Sequence, residues 1–466
     1  MPDSRLNPAN GQAAQTRRVL RGDLLDFTAD PGFALPAEAP GVRWRPDHVL
    51  LIDGERIAAI QPASEPMPQD WADVPVTDHR GQLIMPGFID THVHCPQLDV
   101  IASYGAELLD WLNTYTFPAE RRYVDPLVAR KGAERFLQAL WAHGTTSAVV
   151  FPTVHKVSAE ALFDMASTHH MRLITGKVLM DRHAPEGLLD DVDQAEKDCV
   201  DLIDRFHGKA RQSFAVTVRF APTSTPEQLT MAGRLCQAYA GTYMQTHVAE
   251  NRDEVRWVSE LFPTARSYLD VYDRDGLIGP RAVLAHGIWL DANDRAVLKA
   301  HGAQIAHSPS SNLFLGSGLF NWLEAEREGV NVSLASDVGG GTSLSMLRNI
   351  ADAYKIQALQ GVRLSAWKAL YTCTLGAASH LGLRDEIGRL EPGCMADLAV
   401  WNLAQGPVPE HRDRIAQQRL ARVLHEHLHE RIFAWVTMGD ERNLVSTYVA
   451  GQCVHQAPMV VQAAVQ

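Results

Sequence analysis

The sequence has few cysteines, six in 466 residues, and no two of them lie within twenty residues of each other. This spacing excludes a CxxC metal or redox site and a compact disulfide framework. The sequence also lacks any apolar run approaching the roughly 18 residues of a transmembrane helix, and its start lacks the apolar segment of a signal peptide. We therefore expect a cytoplasmic protein with reduced cysteines and no membrane partner.

Positive charge is in the minority, with 43 Lys and Arg against 55 Asp and Glu and a net charge of −12. An acidic balance argues against a nucleic-acid partner, because a phosphate backbone is bound through Lys and Arg. The content of 46% hydrophobic and 21% charged residues is that of a globular protein. The length suggests two domains, or one large α/β barrel with an attachment.

The middle of the chain, residues 85–389, alternates short apolar runs rich in β-branched residues with helical stretches. Thr145–Val150 and Phe214–Val218 are two of the predicted strands, and Ala133–His143 is one of the predicted helices. Repeated alternation of this kind over about 300 residues predicts an α/β fold, a (β/α)8 TIM-like barrel.

Residues 1–84 and 390–466 flank the barrel pattern and read mainly as short strands. Asp53-Gly54 is a hairpin signal in the first segment, and Ala396–Trp401 is a strand-like run in the second. We predict that the N- and C-terminal segments pair into one small β-sandwich module. The C-terminal part is expected to carry a helical segment as well.

The strongest chemical signal is the pair His92-x-His94 at the end of the apolar run that begins at Met85. Residues two apart on a strand face the same side, so both imidazoles point into one space, as a metal site requires. The position is also suitable, because barrel active sites lie at the C-terminal ends of the strands.

Three further apolar runs end in a potential metal ligand, namely His247, His286 and Asp337. Each alone is also typical of a capping or loop residue, but four such runs argue against coincidence. Imidazoles with one carboxylate suit Zn²⁺ or Fe²⁺ with a position open for water, whose pKa then falls to about 7.

Glu250 lies three residues after His247 and would share a helical face with it. A carboxylate beside the metal can move protons. The alternative is a solvated residue at a helix start.

A competing motif is His425-Glu-His-Leu-His429, which fits the H-E-x-x-H pattern of zinc peptidases. It lies outside the barrel pattern, in a charged run over residues 410–431 that is typical of a solvated face, and no further ligand motif follows it. We therefore favour the barrel site and assign no role to this segment.

At these residues the sequence resembles the amidohydrolase superfamily and, within it, the guanine deaminase family. The wider resemblance rests on the HxH run, the later His residues and the Ser-Asp pair: Pro86–His94, His247, His286 and Ser336-Asp337. The narrower one rests on longer blocks: Trp111–Glu120, Gly176–Asp181, Thr246–Val255, Ala306–Leu313, Ser336–Gly341, Ile387–Gly393 and Gly439–Asn443. The chain departs from the family at Cys95-Pro96 and over residues 30–40 and 403–416.

The resemblance implies one zinc ion per subunit, and it supplies the ligands: His92, His94, His247 and Asp337. It places His286 beside the metal-bound water or as a further ligand. A site with one metal leaves Lys177 structural, although a carboxylated lysine bridges two metals in some barrel hydrolases.

The resemblance also assigns catalytic roles to Glu250 as proton shuttle, to Asp337 as acceptor of a proton from the water, and to His286 as the group that polarises the water. It places several residues in contact with substrate: Gln97, Arg219, Phe220, His247, Glu250 and His286. For Arg219 and Phe220 the residues alone equally suit a strand-end ion pair and a core aromatic.

The implied activity is hydrolysis of guanine, a small-molecule purine, to xanthine and ammonia in purine catabolism, by a metal-bound hydroxide in a homodimeric enzyme. Iron(II) in place of zinc stays an alternative, as does a related aminohydrolase acting on an s-triazine, adenine or a pterin. A non-catalytic barrel is a further alternative, although such relatives typically lack the metal ligands. The cytidine-deaminase type of zinc enzyme is excluded, because its P-C-x-x-C motif is missing.

Overall fold

A computed structural model of the chain describes residues 17–33, 36, 38–104, 108–418 and 424–458. The strands in these ranges are β1 (Arg18–Phe27), β2 (Val42–Asp53), β3 (Arg56–Pro62), β4 (Val76–Pro86), β5 (Phe88–His94), β6 (Thr145–Phe151), β7 (Arg172–Thr175), β8 (Val178–Leu179), β9 (Gln212–Val218), β10 (Tyr243–Val248), β11 (Ala282–His286), β12 (Gln304–His307), β13 (Asn331–Leu334), β14 (Leu398–Trp401), β15 (Leu444–Val449) and β16 (Gln452–Gln456).

The helices are α1 (Leu108–Trp111), α2 (Phe117–Arg121), α3 (Pro126–Trp141), α4 (Lys156–Thr168), α5 (Val192–Phe206), α6 (Pro226–Ala238), α7 (Arg252–Leu261), α8 (Tyr268–Arg274), α9 (Ala292–His301), α10 (Pro309–Phe314), α11 (Trp322–Arg327), α12 (Met346–Leu359), α13 (Ala366–Thr372), α14 (Leu375–His380), α15 (Pro407–Gln418) and α16 (Leu424–Met438). A turn of π-helix, Leu112–Thr116, joins α1 to α2. Within the described ranges, no helix is both long enough and apolar enough to cross a membrane.

The middle strands form one parallel sheet in the order β5-β6-β7-β9-β10-β11-β12-β13, with β8 paired to β9. The sheet closes on itself because the chain after β13 pairs with β5: the Asp337 N–H donates to the His92 carbonyl at 2.9 Å, and the His94 N–H donates to the Val338 carbonyl at 2.8 Å. The predicted (β/α)8 TIM-like barrel is confirmed.

Burial on both faces explains why these strands read as continuous apolar runs. Every residue of β6 and of β9 is buried. Helix α3, which precedes β6, begins earlier than its apolar pattern suggested, at Pro126 instead of Ala133. The Asp125 side chain caps it by accepting a hydrogen bond from the Leu127 N–H, and Pro126 occupies the first helical turn.

The terminal segments form a second sheet of seven strands in the order β16-β15-β14-β4-β1-β2-β3. The two ends of the chain meet where β14 runs antiparallel to β4, with Leu398 opposite Pro86. The β module built from both termini is therefore present, as one continuous sheet. Helices α15 and α16 belong to the C-terminal part of the chain.

The module and the barrel share apolar and ionic contacts. The ring of Trp401 in β14 lies 5.5 Å from the ring of Phe88 in β5 and 5.5 Å from that of Trp435 in α16. Arg211, just before β9, forms a buried ion pair with Asp397, just before β14, with Nη2 2.5 Å from Oδ2. Phe88 begins β5 and Arg211 precedes β9, so these contacts lie at the N-terminal ends of the two barrel strands.

Candidate active site

The predicted ligand side chains meet at the C-terminal ends of the barrel strands. His92 and His94 end β5, His247 lies near the end of β10, and His286 ends β11. The Nε2 atom of His94 lies 3.2 Å from Nε2 of His92 and 3.2 Å from Nε2 of His247. Asp337, three residues beyond β13, joins them because the chain there pairs back onto β5.

The Asp337 carboxylate completes the group, with Oδ1 3.1 Å from His92 Nε2 and 3.2 Å from His94 Nε2. Ligand atoms of a tetrahedral zinc site, with bonds of 2.0–2.1 Å, lie about 3.4 Å apart. The measured separations match this spacing. These donors therefore fit a divalent metal ion.

His286 faces the same group from β11. Four residues each offer one potential ligand atom, and these atoms all lie within 4.8 Å of one another: His92, His247, His286 and Asp337. The His286 Nε2 atom is 3.6 Å from Asp337 Oδ2. It is buried and makes no hydrogen bond to the described residues, so it is free to contact a metal ion or a water molecule.

Hydrogen bonds behind the ligands orient their rings. The carbonyl of Arg219 accepts from Nδ1 of His247 at 2.7 Å, and Oδ1 of Asn312 accepts from Nδ1 of His286 at 2.9 Å. A proton held on Nδ1 leaves the lone pair on Nε2, which faces the site. Sequence reasoning missed Asn312, although it lies in the block Ala306–Leu313.

The protonation states also favour metal binding. Burial lowers the pKa of His94 to about 3 and lowers that of His247 well below its ordinary value, which keeps both rings neutral. Burial opposes ionisation of Asp337, but its attraction to His92 and the hydrogen bonds from His92 and His94 hold its pKa well below the usual range. Neutral imidazoles and an ionised carboxylate are the forms that bind a metal ion.

Asp90, a residue that sequence reasoning left unassigned, fixes the loop that carries Asp337. Its Oδ1 accepts from the Ser336 N–H at 3.0 Å and from the His92 N–H at 3.3 Å. The same loop needs its glycine at position 341, because a Cβ atom there would lie 1.8 Å from the Ser336 carbonyl oxygen. This contact explains the Gly-rich end of the block Ser336–Gly341.

Glu250 lies two residues after β10, beside the ligand group. Its Oε2 is 3.4 Å from His286 Nε2, and its Oε1 accepts from the Ser317 hydroxyl at 2.8 Å. Burial, together with the negative charge of Asp337, raises the pKa of Glu250 to about 8. The carboxyl can therefore hold a proton near neutral pH, as an acid–base group must.

A second buried carboxylate, Glu254, supports the turn that carries Glu250. Its Oε2 accepts from the backbone N–H groups of Glu250 at 3.0 Å and Asn251 at 3.1 Å. The Tyr268 hydroxyl donates to its Oε1 at 2.6 Å. Sequence reasoning missed this residue, although its position three residues after Asn251 is the signature of a capping box.

All six residues that the resemblance placed against substrate line the same pocket as the ligand group. Its walls comprise His94, Gln97, Trp111, Leu112, Arg219, Phe220, His247, Glu250, Glu254, His286, Leu315, Asp337 and Gly340. The Arg219 side chain also forms the strand-end ion pair that its sequence position suggested, with Nη1 2.8 and 2.7 Å from the carboxylate oxygens of Glu120.

Lys177 and His429, from the two competing motifs, do not belong to this site. Lys177 pairs with the buried carboxylate of Asp190 and does not line the pocket. In the H-E-x-x-H segment, His429 Nε2 accepts a hydrogen bond from the Ala366 N–H at 3.0 Å, while the side chains of His425 and Glu426 lie outside the described residues. Among the described residues, three or more potential ligands converge only at the barrel site.

Comparison with known proteins agrees with the fold. The model of the amidohydrolase family matches residues 83–454. A guanine deaminase of Escherichia coli (strain K12) is 42% identical over 442 residues, which span 95% of this chain and 98% of that protein.

Two solved structures extend this likeness. That of E. coli guanine deaminase has a TM-score of 0.89 at 41% identity and covers 95% of this chain and 100% of that one. That of C. acetobutylicum guanine deaminase, with guanine bound in its active site, has a TM-score of 0.81 at 28% identity and covers 94% and 100%. The family match over residues 83–454 includes every residue of the candidate site.

Proposed function

We propose that this chain, which belongs to the amidohydrolase family, is a guanine deaminase that hydrolyses guanine to xanthine and ammonia. One observation carries the proposal: a cluster of potential metal ligands, an acid–base carboxyl and a pocket lined by N–H donors lie together. They do so in a chain that is 42% identical over 442 residues to a guanine deaminase.

We propose zinc as the metal, one ion per subunit, held by His92, His94, His247 and Asp337. Three imidazoles and one carboxylate suit zinc, and iron(II) is the alternative that the same donors allow. When bound, the ion lowers the pKa of a water ligand to about 7 and so supplies a nucleophile at neutral pH. His286, with its free Nε2 atom, would orient that water.

The proton transfers fall to Glu250 and Asp337. Water adds its oxygen to C2 of guanine, and its proton passes to the Asp337 carboxylate. The Glu250 carboxyl gives a proton to ring N3, which makes C2 more electrophilic. Glu250 then takes the proton of the new C2 hydroxyl and gives it to the amino group, and the bond from C2 to nitrogen breaks to release ammonia and leave xanthine. The proton held by Asp337 restores the Glu250 carboxyl. The position of Glu250, 3.4 Å from His286, supports this assignment.

The part of the pocket lined by Gln97, Arg219 and Phe220 would bind the purine ring. Guanine presents O6 as a hydrogen-bond acceptor, and Arg219 and Gln97 carry N–H donors that suit it. Phe220 would stack on the ring. His247, Glu250 and His286 would contact the reacting edge, because they line the pocket beside the metal ligands.

We further propose that the enzyme is a cytoplasmic homodimer that acts in purine catabolism. All six cysteines lie in described parts of the chain and are unpaired, the state expected in a reducing compartment. The homodimer follows from the family resemblance. Sedimentation equilibrium tests it, with an expected mass twice the 51.4 kDa of the chain.

A panel of heterocycles tests the activity, with ammonia release and ultraviolet change followed for guanine, adenine, a pterin and an s-triazine. We expect kcat/KM for guanine to exceed the others by at least about 100-fold, since a pocket built to hydrogen-bond polar edges rejects analogues that lack them. The Glu250→Gln variant is the control for contaminating activity. Preference for another heterocycle would contradict the proposed substrate but not the family.

A further inference from the structure

Glu120, near the end of α2, lies behind two side chains of the pocket wall. It is fully buried, with no exposed surface. Its two oxygens accept from Nη1 of Arg219 at 2.8 and 2.7 Å, and its Oε1 also accepts from Nε2 of Gln97 at 3.3 Å. One carboxylate thus holds both of the residues that were assigned to the far edge of the purine.

The ion pair with Arg219 determines which donors remain for a ligand. The Arg219 side chain is 3% exposed, and the Phe117 ring lies 5.2 Å from its guanidinium carbon. A charge buried this way requires a partner, and Glu120 provides it. Both bonds leave from Nη1, so within the described residues the other guanidinium nitrogens keep their N–H groups unbonded.

The contact with Gln97 fixes the direction of its amide. The Gln97 Oε1 atom accepts from the Gly339 N–H at 3.2 Å, while its Nε2 donates to Glu120. An ionised carboxylate only accepts, so the amide cannot turn over without losing both bonds. Gln97 therefore keeps one N–H of Nε2 for a ligand.

We infer that Glu120 is a positioning residue for substrate preference, which holds Arg219 and Gln97 as a wall of N–H donors. Such a wall matches O6 of guanine, which accepts hydrogen bonds, and opposes adenine, which presents an N6 donor at the same position. The inference rests on the proposed guanine deaminase function and deepens it. Among the described residues, Glu120 makes no hydrogen bond or ion pair with the proposed metal ligands and contacts Arg219 and Gln97 instead.

The test is the Glu120→Gln variant, which keeps the shape but places a donor among the acceptors. KM for guanine should rise about ten-fold or more, because a hydrogen bond to a charged group is lost and the Gln97 amide is free to turn. The fall in kcat should be smaller. The inhibition constant of 2-aminopurine, which keeps the reacting 2-amino group but has no O6, should change less than about two-fold.

Two further variants separate positioning from general damage. Glu120→Asp keeps an acceptor-only carboxylate and should retain more of the guanine preference than Glu120→Gln. Asp397→Asn breaks a matched buried ion pair, since Arg211 precedes β9 and Arg219 follows it. This variant should lower the melting temperature but leave the ratio of the guanine KM to the 2-aminopurine inhibition constant unchanged.

The possible outcomes are distinct. Unchanged guanine kinetics in Glu120→Gln would overturn the inference, and so would an equal loss for guanine and 2-aminopurine, which would show a merely structural role. If the wild-type protein releases no ammonia from guanine, the proposed function fails and this inference fails with it. Only that last outcome affects the wild type, so the two failures are distinguishable.

Discussion

The Ser317 hydroxyl donates a 2.8 Å hydrogen bond to Oε1 of Glu250. Ser317 is 3% exposed, and it comes from the loop after α10. The bond leaves Oε2 of Glu250 turned toward His286, at 3.4 Å. One oxygen of the carboxyl is thus anchored, while the other faces the reacting groups.

Replacing Glu250 should nearly abolish turnover. In Glu250→Gln the amide keeps the shape but cannot shuttle protons, so kcat should fall by about 10² to 10⁴. The metal ligands are untouched, and elemental analysis should therefore find the same metal content as in the wild type. Ordinary turnover in this variant would remove Glu250 from the mechanism.

Removing the Ser317 hydroxyl should reduce turnover less than replacing Glu250. In Ser317→Ala, Oε1 of Glu250 loses its donor and the carboxyl can leave its productive orientation, so kcat should fall about three- to ten-fold. KM for guanine should stay close to the wild-type value. Ser379→Ala, which removes a hydroxyl bonded within α14, is the matched control. An equal fall in both variants would count against a specific role for Ser317.

His92→Ala should lose metal and activity together, because three of four tetrahedral ligands bind a divalent ion far more weakly. Metal content and ammonia release should be measured on the same sample. Chelation of the wild type should reproduce the loss, and added Zn²⁺ should restore activity to the wild type but not to the variant. A fully active, metal-free His92→Ala protein would contradict the assigned ligand set.

The stability of the protein should depend on His429 at mildly acidic pH. Burial lowers the pKa of this ring to about 4 from the ordinary 6.5. A depressed histidine pKa means that the unfolded state binds the proton more tightly, so stability is full above about pH 6.5 and is lost as the pH falls toward 4. The linkage predicts a loss of about 2 kcal/mol between pH 7.5 and pH 5.

Urea unfolding at pH 7.5 and at pH 5 measures this loss of stability. His429→Gln is the control, because glutamine does not titrate between these pH values. The free energy of unfolding should fall about 2 kcal/mol further in the wild type than in the variant. If both proteins lose the same amount, the ring of His429 is not the titrating group.

Much of the architecture could be predicted because its signals are local. Alternating strand-like and helical runs predicted the barrel, and ligand-type residues at the ends of four runs predicted where they would meet, since parallel strands end at one face. The strand ends were less predictable. β13 stops at Leu334, and Asp337 reaches the site only because the chain beyond this strand pairs with β5.

The sequence by itself therefore determined the barrel, the module from both termini and the kinds of atom that meet at the site, because periodicity and residue type are properties of short segments. Only the tertiary structure decided which further side chains form hydrogen bonds to the residues of the site. Glu120 is 99 residues from Arg219, and Ser317 is 67 from Glu250. No local pattern encodes such pairs, since they depend on how distant loops pack over the mouth of the barrel.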